Sequence, residues 1–168
     1  MRGLVIIFIM LLGAYQASAY KDPERKSVFL EVGGNAYYGS INYEAIFGTN
    51  KHHAFAFRIG VGGYPVTNTT DFVVGVPVAF NFITGRRSSF LDLSLGQTLT
   101  VNTNAEFEPI TTAGIGYRYQ KSKSPLFFRL AYTPLINYIG GMEYKHWAGL
   151  TIGFTFNLAK CNTCPTFD

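Results

Sequence analysis

The chain has few residues able to do chemistry. Six ionisable side chains, Glu31, Glu44, Arg58, Asp92, Arg118 and Arg129, stand singly inside otherwise apolar stretches. An unpaired buried charge is costly, so three acids and three arginines in such surroundings are expected to pair with one another and brace the fold. The other use for them is to line a narrow polar path. His146, beside the last periodic segment, is the one histidine outside the basic turn at His52 and His53. Nucleophilic catalysis needs a serine or thiol beside such a base and an acid behind it. Position 148 is Ala148, and His52 and His53 lie in a basic turn, so no catalytic residue is assigned and no enzyme is expected. Cys161 and Cys164 have CxxC spacing. A metal or redox role would need a second ligand pair or a thioredoxin-like context. With neither present, a small local disulfide or a flexible tail is the expectation, with no metal and no cofactor. Asn68-Thr69-Thr70 matches a glycosylation sequon, a pattern common by chance.

The elements that must hold these residues follow from composition and periodicity. A chain of 168 residues makes one domain. Charged residues make up 14%, against about 25% in average soluble domains. Aromatics reach 16% and there are 18 glycines, a mixture that favours strands and tight turns over helices or disorder. Arg2, the apolar run Leu4 to Leu12 and the small-x-small site Ala17-Ser18-Ala19 read as a secretory leader over residues 1–19, cleaved after Ala19. The run is too short for a spanning helix, which needs about 20 apolar residues. Loss of Arg2 with the leader takes the net charge from +4 to +3, too mild for a nucleic-acid partner.

Period-two alternation recurs in eight segments, near 27–37, 38–47, 53–63, 71–83, 90–99, 110–119, 126–134 and 147–157. Each is close to the roughly 9–11 residues that a tilted strand needs to cross a bilayer. One face of each is large and apolar, as in Phe55, Phe57, Ile59 and Val61, or Leu150, Ile152, Phe154 and Phe156. The other face is small or polar, and all six strand charges fall on it. About thirty large side chains on the apolar face are far more than the inside of an eight-stranded barrel can hold. The large residues must therefore point outward as a lipid-facing belt, with glycines, small residues and the charges inside. Phe29, Phe127 and Trp147 would fill gaps there. A misplaced charge on the lipid face costs up to about 2–4 kcal/mol near the midplane, and strand closure removes the open edges that a membrane forbids. The expectation is an all-β, eight-stranded antiparallel up-and-down transmembrane β-barrel over 27–158. A segment over 20–26 precedes it and a tail over 159–168 carries the CxxC pair.

Alternate connections carry the basic clusters Lys51-His52-His53, Arg86-Arg87, and Lys121 with Lys123. With both termini periplasmic these are periplasmic turns. The remaining connections hold Asp71, Glu106, Glu108 and Glu143 and would face outward from the cell. Tyr64, Tyr138, Tyr144 and Trp147 lie near strand ends, where an aromatic girdle forms. Pro77, mid-segment, removes a ladder donor and predicts a bulge.

The pattern over residues 27–158 resembles the small outer-membrane barrels of the OmpA/OmpX type. The stretch Thr151-Ile152-Gly153-Phe154-Thr155-Phe156-Asn157-Leu158 resembles the signal that the barrel-assembly machinery reads in a last strand. In that family the signal usually ends the chain, whereas here Ala159 to Asp168 follow. Gly116-Tyr117-Arg118-Tyr119 and Phe128-Arg129-Leu130-Ala131-Tyr132-Thr133-Pro134 are similar to segments of uncharacterised small barrels in the class. The resemblance implies the outer membrane of a Gram-negative bacterium. It implies lipid and lipopolysaccharide as surroundings and the assembly machinery as a partner during insertion. A structural or interaction role with a closed interior is the first functional expectation. The alternatives are a lipid-modifying enzyme of deacylase or acyltransferase type, or a narrow pore.

Overall fold

The computed structural model describes residues 25–47, 52–65, 72–103, 107–121, 124–137 and 143–156. Strands β1 (Arg25–Gly33), β2 (Gly39–Phe47), β3 (His53–Pro65), β4 (Phe72–Arg86), β5 (Ser89–Val101) and β6 (Phe107–Gln120) follow in an up-and-down meander. Next come β7 (Leu126–Tyr132), β8 (Leu135–Asn137), β9 (Glu143–Lys145) and β10 (Ala148–Phe156). β1 pairs with β10, and every pairing is antiparallel, so the sheet closes on itself.

The ten strands make eight staves. β7 and β8 lie on β6 in one register, with Tyr132 opposite Ile115 and Leu135 opposite Thr112. Pro134, which has no N–H to give, marks the break between them. β9 and β10 likewise share one register against β8 and β7. The register can be followed around the cylinder through Lys26, Ala45, Phe57, Phe80, Leu95 and Ala113. Carried across the last two staves, it returns to β1 ten residues further on, at Ala36. A shift of roughly 33 Å along the strands, set against roughly 38 Å across eight of them, tilts the strands by about 40°.

Side chains sort by parity. Phe57, Val76 and Leu93 are 43%, 36% and 38% exposed, while Arg58 and Asp92 are 1% and 2% exposed. The apolar face is therefore outside and the ionised face inside, the reverse of a soluble barrel. The interior is layered. Ile46, Ala56, Ile83 and Phe90, with Ala54 against them, form an apolar layer at the end where the chain enters at Arg25. The charges and the rings of Phe29 and Phe127 fill the middle. At the opposite, loop end a 3-10 turn, Gly34–Ala36, folds into the bore and buries all three of its residues. Gly33 and Gly34 take φ of +74° and +71°, and a Cβ on Gly34 would collide with the Glu31 carboxylate, so only glycine fits there.

Several expected boundaries move. β1 begins at Arg25, two residues inside the segment expected to precede the barrel. β4 runs through Gly85 to Arg86, and the turn is Arg87-Ser88 with Arg87 at φ +59°. Pro77 makes no bulge. Ile59↔Val78 and Gly62↔Gly75 keep one register across it, and Pro77 remains paired with Thr98 on the other side. The missing N–H only opens a gap in the β3–β4 ladder. The leader, the cleavage site, the tail with Cys161 and Cys164, and the sequon at Asn68 lie outside the described residues.

Candidate functional site

Each of the six charged residues sits at an inward position because period-two alternation puts every second side chain in the bore. Glu31 comes from β1, Glu44 from β2, Arg58 from β3, Asp92 from β5, Arg118 from β6 and Arg129 from β7. All six are at most 2% exposed. The structure brings them together as a chain of four and a separate pair. Glu31 Oε1 accepts from Arg58 Nη1 at 3.3 Å and from Arg129 Nη2 at 3.1 Å. Arg129 Nη1 reaches Asp92 Oδ2 at 3.2 Å, and Asn81 Nδ2 donates to Asp92 Oδ1 at 2.6 Å. Thr151 Oγ1 lies 3.2 Å from Arg129 Nη2 and 3.4 Å from Glu31 Oε1. Arg118 Nη1 meets Glu44 Oε1 at 2.7 Å.

The pairs are single-point contacts, and Glu44 Oε2, Arg58 Nη2 and Arg118 Nη2 find no hydrogen-bond partner among the described residues. Aromatic faces stand beside the guanidiniums instead. Arg118 lies 4.0 Å from the centre of the Phe127 ring, and Arg129 and Arg58 lie 5.0 and 5.8 Å from that of Phe29. The two rings meet edge to face at 5.9 Å. A cation desolvated over a ring face gains about 2 kcal/mol or more, partly offsetting hydrogen bonds not made. Gly153 lets this happen, since a Cβ there would run into Phe127 and Phe29.

The inward turn seals the network from the loop end. Asn35 N donates to Glu31 Oε2 at 3.4 Å, and Thr98 Oγ1 donates to the Asn35 carbonyl at 2.7 Å. The sequence shows the glycines that permit this turn but nothing that says it folds inward. Its role in closing the bore was missed for that reason.

Beyond the turn, the loop end opens as a cup of about 500 Å³ whose walls include Tyr37, Tyr38, Tyr64 and Trp147. Tyr64 was expected in the rim girdle, and Trp147 was expected both there and as an inward gap filler. They gather at the mouth because Trp147 Nε1 donates to the Tyr37 carbonyl at 2.9 Å and Tyr64 packs on both turn tyrosines. Tyr144 does face outward, beside Tyr132 and His146. The Tyr132 hydroxyl lies 2.7 Å from that of Tyr144 and 2.6 Å from His146 Nδ1. No serine, threonine or acid is hydrogen-bonded to His146 among the described residues. At the entry end, His52, Arg87 and Lys121 lie in the connections, whereas His53 opens β3 and Arg86 closes β4, and His53 stacks on Phe82 at 5.5 Å.

Fold and interior together define a class: a small closed antiparallel barrel of eight staves, greasy outside and ion-paired within. No family model matches the chain, and no curated protein matches it. Among solved structures, it is similar to the N-terminal β-barrel domain of OprF from Pseudomonas aeruginosa. The two share 14% sequence identity and a TM-score of 0.50, over 79% of this chain and 96% of that one. At that identity the likeness is one of fold.

Proposed function

We propose that the chain is an outer-membrane barrel of a Gram-negative bacterium with a structural or interaction role and a closed interior. The observation that carries this is the division of surfaces. Some thirty half-exposed large apolar side chains ring the cylinder, far beyond the few hundred Å² of apolar patch that a protein in water tolerates. A bilayer satisfies that belt, and the closed hydrogen-bond ladder satisfies the bilayer. In this reading residues 1–19 direct export and are removed after Ala19. The barrel then inserts through the assembly machinery into lipid and lipopolysaccharide. The six interior charges serve as a plug and do not act on a substrate.

The apolar layer at Ile46, Ile83 and Phe90 and the turn at Asn35 lie on either side of the charges, which favours a closed bore over a narrow pore. A lipid-modifying enzyme would need an acid and a nucleophile at His146, and its hydrogen-bonded neighbour is the Tyr132 phenol. The refolded protein in planar bilayers should give conductance indistinguishable from lipid alone. Discrete, reproducible channel steps would overturn the closed-bore reading. Release from cells by salt or alkali without detergent would overturn the membrane assignment.

A further inference from the structure

We propose that the cup at the loop end is a binding site for a small organic cation, an ammonium carrying apolar substituents. Four aromatic rings form a closed circuit there. Tyr37 and Tyr64 are 5.0 Å apart between ring centres, Tyr64 and Tyr38 5.6 Å, Tyr38 and Trp147 6.3 Å, and Trp147 and Tyr37 6.0 Å. Rings at this spacing leave a cation within reach of several π faces at once, and such faces attract it through their quadrupoles.

Two carboxylates add to that field. Glu108 on β6 and Glu143 on β9 also line the cup, and neither makes an ion pair among the described residues. Their charge is felt at the rings. Burial first, and then Glu108 and Glu143, hold the Tyr37 hydroxyl above its usual pKa. Among the described residues Lys145 is the one basic group lining the cup, so those residues contribute one net negative charge. A neutral sugar could stack on the rings and donate hydroxyl hydrogen bonds to the carboxylates, but only a cation also gains their charge attraction. An anion would meet both of them.

The walls are set in advance. Tyr37 is held at φ +66°, its carbonyl is tied to the indole of Trp147, and Gly33 N donates to the Tyr38 carbonyl at 2.8 Å. Binding therefore orders little, and a preorganised site loses less affinity to ordering. The volume of about 500 Å³ falls within the range of small-molecule sites.

Trp147 is the only tryptophan of the chain, so the site carries its own reporter. The full chain, folded in a polyoxyethylene detergent, is titrated with choline and, separately, with its uncharged isostere 3,3-dimethyl-1-butanol. Choline should change Trp147 emission saturably, with a midpoint at least about tenfold lower than that of the alcohol. Replacing both acids, Glu108→Gln with Glu143→Gln, should raise the choline midpoint about tenfold, and Lys145→Gln should lower it severalfold. Tyr64→Leu should raise it about fivefold. The acids and Lys145 are exposed, so these variants keep the barrel, as the circular dichroism of the strands will report. No response to choline, equal midpoints for choline and the alcohol, or a midpoint unmoved by the charge variants would overturn the site. The inference rests on the membrane reading only for the compartment the cup faces. Failure here with a correctly inserted barrel would leave that reading standing.

Discussion

The interior charges differ in what their removal should do. Arg118 and Glu44 form a pair with no link to the other four beyond proximity. Breaking a buried pair leaves an uncompensated charge and costs about 3–5 kcal/mol, whereas exchanging both partners for apolar residues is often neutral. Arg118→Leu and Glu44→Leu should each destabilise the barrel by that amount, and the double variant by about 1 kcal/mol or less. Urea unfolding in lipid vesicles measures all three. Arg118 and Arg129 are directly opposed on β6 and β7, yet each guanidinium reaches a different carboxylate. That explains how two like charges share one rung of the ladder. The six charges were legible in the sequence because parity alone placed them on the small face. Who pairs with whom was not, because pairing crosses from β1 to β3 and β7, from β2 to β6 and from β5 to β7, and one sequence carries no record of those distances.

Among the elements, the eight staves were legible and their ends were not. Alternation survives wherever one face meets a different environment from the other, as in β3 and β10. It fades at strand ends, where both faces are alike. Gly85 read as a turn residue, yet β4 carries on through it, and Arg87 takes the positive φ that a two-residue hairpin asks of its first residue. Arg87→Gly should therefore stabilise the barrel by about 1 kcal/mol. An equal or lower urea midpoint would show that the turn carries no such strain. The inward turn at Gly34–Ala36 makes the opposite prediction. Gly34→Ala must relieve both a left-handed backbone and a clash with Glu31, at a cost of about 1–3 kcal/mol. The same variant loosens the lid over the charge network, so interior amides of β1 and β5 should exchange with deuterium faster than in the parent chain. Pro134 and Pro77 illustrate a further limit. Both remove a ladder hydrogen bond, and in both cases the register holds because the neighbouring pairs fix it.

For the molecule as a whole, one inversion organises everything: large apolar residues outside, ions within. It sets the bore, seals it and leaves the loop end as the place where the barrel meets its surroundings. The most direct test places a reporter on the outer face. Leu93→Trp, in a chain whose native indole is removed by Trp147→Phe, is reconstituted in vesicles of ordinary lipid and of lipid brominated along the acyl chains. Strong quenching by the brominated chains, with little quenching by aqueous iodide, is the predicted result. An indole quenched by iodide and indifferent to brominated lipid would contradict the account.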